Sequence, residues 1–183
     1  MLRRHALVAL AIALAVPLAA CTEATRIPDA EPSSEVAPLF ASDEEALAAA
    51  TAAYEEYLSA SEAIAASPPF DLDPLRTLAT AEYLERESAL FAELQANGYR
   101  IVGRTALAKS QLQQWYQDLE FGHVVIFYAC LDVSGGRLLD EEGNDITSAE
   151  RSDLANIEVE VVEGEAGDLL LNRTDSWYGE PVC

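Results

Sequence analysis

The stretch HVVIFYACLDV, at residues 123–133, is apolar at nearly every position. Successive side chains of a β-strand point to opposite faces of the sheet, and in this stretch both sets are apolar. One face carries Val124, Ile126, Tyr128 and Cys130, and the other carries Val125, Phe127, Ala129 and Leu131. Such a strand is buried on both sides, so the stretch predicts the central strand of a sheet.

Three further strands are predicted, at residues 99–107, 154–162 and 168–178. In the segment 154–162, β-branched residues alternate with Glu158 and Glu160, which predicts one buried and one exposed face. The sequence EGEAG, which follows that segment, supplies the turn of a hairpin between the last two strands.

The segment that precedes these strands predicts helices. The sequence SDEE at residues 42–45 is a capping box, after which apolar residues recur every three or four positions as far as Pro68. Asp73 begins a short connecting helix, and Thr80 caps a further helix that ends at Gly98. Helices followed by antiparallel strands predict an α+β fold, with N-terminal helices packed on one face of a curved four-stranded antiparallel sheet.

Residues 1–20 predict a secretory signal peptide, because two arginines precede an apolar run that is too short for a membrane-spanning helix. The sequence LAAC at residues 18–21 resembles the lipobox of bacterial lipoproteins, which implies that Cys21 carries a diacylglycerol anchor. The proline-rich segment that follows predicts a flexible tether. We therefore expect a signal peptide at 1–20, the lipidated cysteine and tether at 21–41, and one domain at 42–183.

The sequence contains three cysteines. With Cys21 lipidated, Cys130 and Cys183 remain as an even pair in an oxidising compartment, and we predict that they form a disulfide. Closing a loop of roughly fifty residues stabilises a fold by about 4 kcal/mol on the chain-entropy model. A redox-active pair is disfavoured because the chain has no Cys-x-x-Cys motif.

The formal net charge is -21, and Lys109 is the only lysine. A chain of this composition lacks the basic surface that nucleic-acid binding requires, so nucleic acid is excluded as a partner. The negative charge also repels anionic lipid. A domain held at a membrane therefore needs a covalent anchor or a specific contact.

The order of elements, the sequence ACLDVS at residues 129–134 and the sequence GEPVC at residues 179–183 resemble actinobacterial lipoproteins with an NTF2-like, cystatin-related cone domain. The resemblance spans roughly residues 42–183. It implies the fold and also the disulfide. The NTF2-like superfamily contains isomerases, dehydratases, binding modules and partner-recruiting domains, so the fold does not give the function.

The chain lacks the sequence motifs of hydrolases, nucleotide-binding proteins and metalloproteases, and we expect no cofactor and no metal.

His123, at the end of a predicted strand, is expected to be a surface residue. Asp132 is a weak catalytic candidate, because an inward carboxylate in an apolar run would have a raised pKa suited to proton abstraction. Its position beside a turn predicts instead a solvent-facing or capping role.

Three functions remain open. The first is a non-enzymatic module, held extracytoplasmically by its lipid at the outer face of the cell membrane, that binds an envelope protein or a small apolar ligand. The second is a small isomerase- or dehydratase-like enzyme with Asp132 at the base of an apolar cavity. The third is a dimerisation or scaffold domain, a homodimer with a large apolar patch on the open face of its sheet. The candidates for pocket residues are Tyr54, Tyr57, Trp115, Tyr128 and Asp132.

Overall fold

The computed structural model describes residues 39–183. The predicted signal peptide, Cys21 and nearly all of the predicted tether lie outside the described residues. Within 39–183, no helix combines the length and the apolar character that crossing a membrane requires. The described residues belong to one compact unit.

Helix α1 (Asp43–Ala65) begins at the predicted cap. The Ser42 Oγ accepts a hydrogen bond from the Glu45 backbone N–H at 3.2 Å, and the Glu45 carboxylate accepts one from the Ala41 N–H at 2.7 Å. Together these bonds satisfy backbone donors that a helix start leaves without partners. The buried face consists of Ala46, Ala50, Tyr54, Tyr57 and Ala65.

A 3₁₀ helix (Asp73–Thr77) and helix α2 (Ala81–Ala96) follow. The Thr80 Oγ1 accepts a hydrogen bond from the Tyr83 N–H at 3.3 Å, which confirms the predicted cap of α2. Gly98 follows this helix with a φ of 68°, the left-handed conformation in which helices commonly stop.

The strands form two sheets. The main antiparallel sheet contains β2 (Ala106–Asp118), β3 (Gly122–Asp132), β5 (Leu154–Glu163) and β6 (Leu169–Ser176), in the order β2-β3-β5-β6. A separate two-stranded sheet contains β1 (Arg100–Val102) and β4 (Arg137–Leu139). The prediction of an α+β fold, with helices packed on a four-stranded antiparallel sheet, is confirmed.

Strand β3 has a neighbour on each side and is buried on both faces, as its sequence predicts. On the face covered by the helices, Val125 and Phe127 are 0% exposed and belong to the main core. On the other face, Val124 and Ile126 pack against Val162 of β5. The same pairing places Val159 and Val161 of β5 in the main core, so the predicted alternation of β5 is also confirmed.

The prediction of one continuous strand at residues 99–107 is wrong, because this segment is divided between two strands, β1 and β2. Gly103 interrupts it with a φ of +100°, and a Cβ at this position would lie 2.1 Å from the Gly135 carbonyl oxygen. Only glycine avoids both the strained backbone and the collision. The residues on either side of Gly103 therefore enter different sheets, as β1 and β2.

Most of β2 is not predicted by the sequence pattern. The register of β2 against β3 shifts between Leu107 and Lys109 and again between Leu112 and Gln114. Each shift marks a β-bulge or irregularity, and a bulge moves the following side chains to the opposite face. The residues of β2 that pack against the main core are consequently not spaced in steps of two: Leu107, Leu112 and Trp115.

The face of the sheet that the helices leave uncovered carries ion pairs. The Arg173 guanidinium lies 3.0 Å from a Glu158 carboxylate oxygen and 3.2 Å from one of Glu160, and it also pairs with Asp175. These charges lie on the β5–β6 half of this face. The large apolar patch expected of a dimerisation platform is therefore not found on this part of the described sheet.

The C-terminal segment is fastened to the sheet by a disulfide between Cys130 of β3 and Cys183, as predicted. The backbone N–H groups of Val182 and Cys183 also donate to the Asn156 Oδ1 at 2.9 and 3.0 Å. Val182 is 5% exposed. The last residues of the chain are thus part of the folded domain.

Candidate functional site

The five predicted pocket residues do not share a pocket. Tyr54 and Tyr57 are each 3% exposed and lie within the main core, and Trp115 packs at its edge. Tyr128 lies on the opposite face of the sheet, where its ring stacks on Trp177 with a centroid distance of 4.3 Å. The sheet separates Tyr128 from Tyr54, Tyr57 and Trp115, so these candidates are not brought together at one site.

Tyr54 and Tyr57 belong to a buried tyrosine cluster. The rings of Tyr57 and Tyr83 lie edge to face at 5.4 Å, and the Tyr57 hydroxyl donates to a Glu87 carboxylate oxygen at 3.1 Å. The Tyr83 hydroxyl lies 3.3 Å from the Thr174 Oγ1. Burial, reinforced by Tyr83 and Glu87, raises the pKa of both Tyr54 and Tyr57. The two hydroxyls therefore stay protonated, and the rings pack helix against helix and sheet.

Asp132 caps a turn. Its Oδ1 accepts a hydrogen bond from the Ser134 N–H at 2.9 Å. Hydrogen bonds from the side chain and the backbone of Ser134 lower the pKa of Asp132. The expectation of a raised pKa, on which catalysis by Asp132 depended, is wrong, and the capping role is the one that the structure supports.

Trp115 and Tyr128 make structural contacts. The Trp115 Nε1 donates to the Asp43 Oδ1 at 2.9 Å, and its ring meets the Phe40 ring edge to face at 5.6 Å. The Tyr128 hydroxyl accepts a hydrogen bond from the Gln113 Nε2 at 2.6 Å. Trp115 thus fastens the start of α1 to β2.

A groove of about 540 Å³ runs beside α1, between that helix and the turn that precedes β6. Its apolar lining consists of Leu39, Phe40, Ala49, Ala52, Ala53, Leu78 and Leu169. Glu45, Glu56 and Asp168 add three carboxylates, and the described residues of the lining include neither lysine nor arginine. We call this the α1 groove. The small side chains of Ala49, Ala52 and Ala53 on the helix leave the space.

A second cavity, of about 560 Å³, lies between α1 and the residues that join β1 to β2. Charged and polar groups make up much of its lining, including Glu55, Glu62 and Arg104. The Glu62 carboxylate is already engaged, because it accepts a hydrogen bond from the Thr105 N–H. Ligand pockets are mostly apolar with a few polar groups, so the α1 groove is the better candidate site.

His123 holds the chain where it enters the α1 groove. The His123 Nδ1 lies 2.7 Å from a Glu163 carboxylate oxygen, and its Nε2 accepts a hydrogen bond from the Leu39 N–H at 3.3 Å. A ring nitrogen that accepts carries no proton, so the Nδ1 is the donor to Glu163. His123 is 6% exposed, and its prediction as a surface residue is wrong. The hydrogen bonds that the Glu163 carboxylate accepts from the side chain and the backbone N–H of His123 lower the pKa of Glu163.

Sequence reasoning did not find the α1 groove, because its lining comes from three distant segments. Residues 39–56, 77–78 and 167–169 each contribute, and none of them carries a motif that indicates ligand binding. The one sequence signal is the run of alanines on a single face of α1, at Ala49, Ala52 and Ala53. Among residues 39–183, no group of three or more His, Cys, Asp or Glu residues is placed to hold a metal ion.

No protein-family model matches the chain, and no curated protein matches it significantly. Among solved structures, the chain is similar to the crystal structure of the intermembrane space region of the chloroplast protein ARC6, with a TM-score of 0.50 and 14% sequence identity. The match covers 71% of this chain and 95% of that chain. At this identity the similarity concerns the fold alone and carries no information about activity.

Proposed function

We propose that this protein is an extracytoplasmic lipoprotein, anchored through Cys21 to the outer face of the cell membrane, whose domain binds a ligand with an apolar body. One observation carries the binding role: the α1 groove has a volume of about 540 Å³, and most of the side chains that line it are apolar. Leu39, which follows Cys21 by eighteen residues, is one of the residues that line the groove. Anchor and binding site are thus adjacent along the chain.

The disulfide supports an extracytoplasmic location. Disulfides persist in oxidising compartments and are rare where thiols are kept reduced. In the structure Cys130 and Cys183 are joined, which leaves Cys21 as the cysteine available for acylation. This agrees with the resemblance of residues 18–21 to a lipobox.

The charges around the α1 groove restrict the charge that its ligand can carry. Glu45, Glu56 and Asp168 line it, with no lysine or arginine among the lining residues that the structure describes, in a protein whose formal net charge is -21. An anionic headgroup in the groove would meet like charges at short range. We therefore infer that the ligand is uncharged or positively charged. The small isomerase-like enzyme is the weaker alternative, because Asp132 caps a turn.

Dye binding tests the site. We expect the uncharged dye N-phenylnaphthylamine to gain fluorescence on binding the domain, and the anionic dye anilinonaphthalene sulfonate to bind at least several-fold more weakly. Ala52→Trp, at an exposed position that lines the α1 groove, should abolish binding of the uncharged dye. Ala48→Trp, at an exposed position of the same helix outside the lining, is the matched control. Equal binding of the uncharged dye by both variants would exclude the α1 groove as the dye-binding site.

The anchor is tested independently. Mass spectrometry of the protein extracted from membranes should find a mature N-terminus at Cys21 with the mass of two or more acyl chains. An unmodified Cys21 would refute the lipoprotein proposal and leave the dye-binding result unaffected.

A further inference from the structure

Exposed apolar side chains concentrate at one end of the domain. Of the nine large apolar residues that are exposed within 39–183, four belong to the β2–β3 hairpin or to the chain bonded to it: Leu39, Tyr116, Leu119 and Phe121. Isolated exposed apolar residues are ordinary, but a cluster marks a surface that contacts a protein or a membrane. Leu119, in the turn, is fully exposed at 107%. Its side chain therefore has no evident role in holding the fold together.

The turn of this hairpin satisfies part of its own backbone hydrogen bonding, which lowers the cost of moving it out of water. The Asp118 Oδ1 accepts hydrogen bonds from the backbone N–H groups of Glu120 and Phe121, at 2.7 and 3.2 Å. Backbone groups without a partner are costly to bury in an apolar medium. Because the turn satisfies these two donors itself, moving its tip out of water leaves fewer groups unpaired.

The hairpin lies where the chain from Cys21 enters the domain. The Leu39 N–H is bonded to His123, one residue after the start of β3. Cys21 precedes Leu39 by eighteen residues. A chain of that length spans at most about 60 Å, so a lipid on Cys21 keeps this end of the domain near the membrane.

We propose that the tip of the β2–β3 hairpin, Leu119 and Phe121 with Tyr116 beside them, inserts into the interfacial layer of the membrane to which the protein is anchored. The inference rests on the proposed anchoring at Cys21. Leucine and phenylalanine side chains enter the acyl boundary, and tyrosine is enriched at the headgroup level. Insertion orients the domain with its tether-bearing end toward the lipid.

The lipid preference follows from the charges beside the tip. Glu120 lies between Leu119 and Phe121 in the chain, Asp118 precedes them and Glu163 lies beside Gly122, while residues 116–123 contain neither lysine nor arginine. Anionic headgroups repel such a tip and zwitterionic headgroups do not. The contact is therefore apolar, and it depends on the tether to bring the two surfaces together.

A fluorescent label at residue 119 tests the proposal. The chain 21–183, with Cys21→Ser and a hexahistidine tag placed before residue 21, is bound to phosphatidylcholine vesicles that contain a nickel-chelating lipid. The variant Leu119→Cys carries an NBD label, attached without reducing the Cys130–Cys183 disulfide. Leu154→Cys is the matched control, an exposed leucine at the opposite end of the same sheet.

On vesicles, we expect the NBD emission at residue 119 to shift to shorter wavelength and to be quenched by doxyl-labelled lipid, while the label at residue 154 stays as in solution. Adding Phe121→Ser should reduce the quenching at least twofold, and anionic phosphatidylglycerol should weaken it in a manner that salt reverses. An unshifted label at 119 on phosphatidylcholine would overturn the proposal. A shift in solution that grows with protein concentration would also overturn it, in favour of contact between two copies.

The anchoring at Cys21 and the insertion of the hairpin tip are tested by separate experiments, so either proposal can be refuted without the other. The hexahistidine tag replaces the lipid of Cys21, so the vesicle experiment does not depend on acylation. An absent acyl chain in the mass spectrum would refute the anchoring, whereas an unquenched label would refute the insertion alone.

Discussion

At the scale of single residues, the pair formed by His123 and Glu163 links the N-terminal segment to the sheet. The Glu163 carboxylate accepts hydrogen bonds from both the side chain and the backbone of His123, at 2.7 and 3.0 Å. These bonds keep the pKa of Glu163 below its ordinary value of 4.5. A group whose folded pKa is depressed stabilises the fold above its unfolded pKa, and the contribution is lost as the pH falls through the folded pKa.

We therefore predict that acidification from about pH 7 to about pH 3 lowers the free energy of unfolding of the wild type more than that of Glu163→Gln. Urea denaturation at a series of pH values measures the difference. Glu165→Gln, at an exposed position of the same turn, should keep the wild-type pH profile. Identical profiles for the wild type and Glu163→Gln would contradict the assignment.

The burial of His123 could not be predicted from the sequence. Its partners, Leu39 and Glu163, are 84 and 40 residues away along the chain. Local pattern places a lone histidine at a strand end in solvent, and only the tertiary structure brings an acceptor and a donor to its two ring nitrogens. Asp132 is the opposite case, because its cap on Ser134 is local and the sequence therefore predicts the capping role.

At the scale of elements, the sequence predicts strands well where the period of two is unbroken. Strands β3 and β5 keep that period and were placed within a few residues of their observed bounds. Strand β2 loses it at two irregularities in its register, and β1 is cut off at Gly103. Bulges and glycine breaks depend on how neighbouring strands pair. The alternation of residues within one strand carries no information about that pairing.

Gly103 gives a prediction with an internal control. Gly103 and Gly167 both have positive φ, of +100° and +82°, but a Cβ on Gly103 would meet the Gly135 carbonyl oxygen whereas a Cβ on Gly167 would meet nothing within 4 Å. We expect Gly167→Ala to cost about 1 kcal/mol of stability from the backbone alone. Gly103→Ala should cost at least about 3 kcal/mol, because the collision adds to the strain. Thermal and urea denaturation compare the two, and equal losses would contradict the close approach.

The disulfide gives a second prediction at this scale. It closes a loop with a sequence separation of 53 residues. Cys183→Ser combined with Cys130→Ala should lower the free energy of unfolding by roughly 2–4 kcal/mol. Asn156→Ala keeps the covalent link and removes the acceptor of two backbone N–H groups, so it should cost less, about 1–2 kcal/mol. If the double variant had the same denaturation midpoint as the wild type, a structural role for the disulfide would be contradicted.

At the scale of the whole molecule, the two hairpin turns, the entry of the chain at Leu39 and the α1 groove lie at one end of the main sheet. Gly122 and Glu163 bring the turns together, since Glu163 packs beside Gly122, and Asp168 of the second turn lines the groove. The order of elements was enough to predict the helices and the sheet. The common location of these features was not predictable, because it depends on which strand ends meet.

This arrangement makes membrane contact depend on tether length. Inserting a flexible Gly/Ser segment of about 36 residues after Cys21 triples the chain between the anchor and Leu39, and effective concentration falls as about the −3/2 power of length once the span is reached. We therefore expect doxyl-lipid quenching of the label at residue 119 to weaken by up to about fivefold. Dye binding in the α1 groove should stay unchanged, because that site needs no membrane. Quenching that is independent of tether length would mean that the hairpin tip binds lipid without help from the anchor.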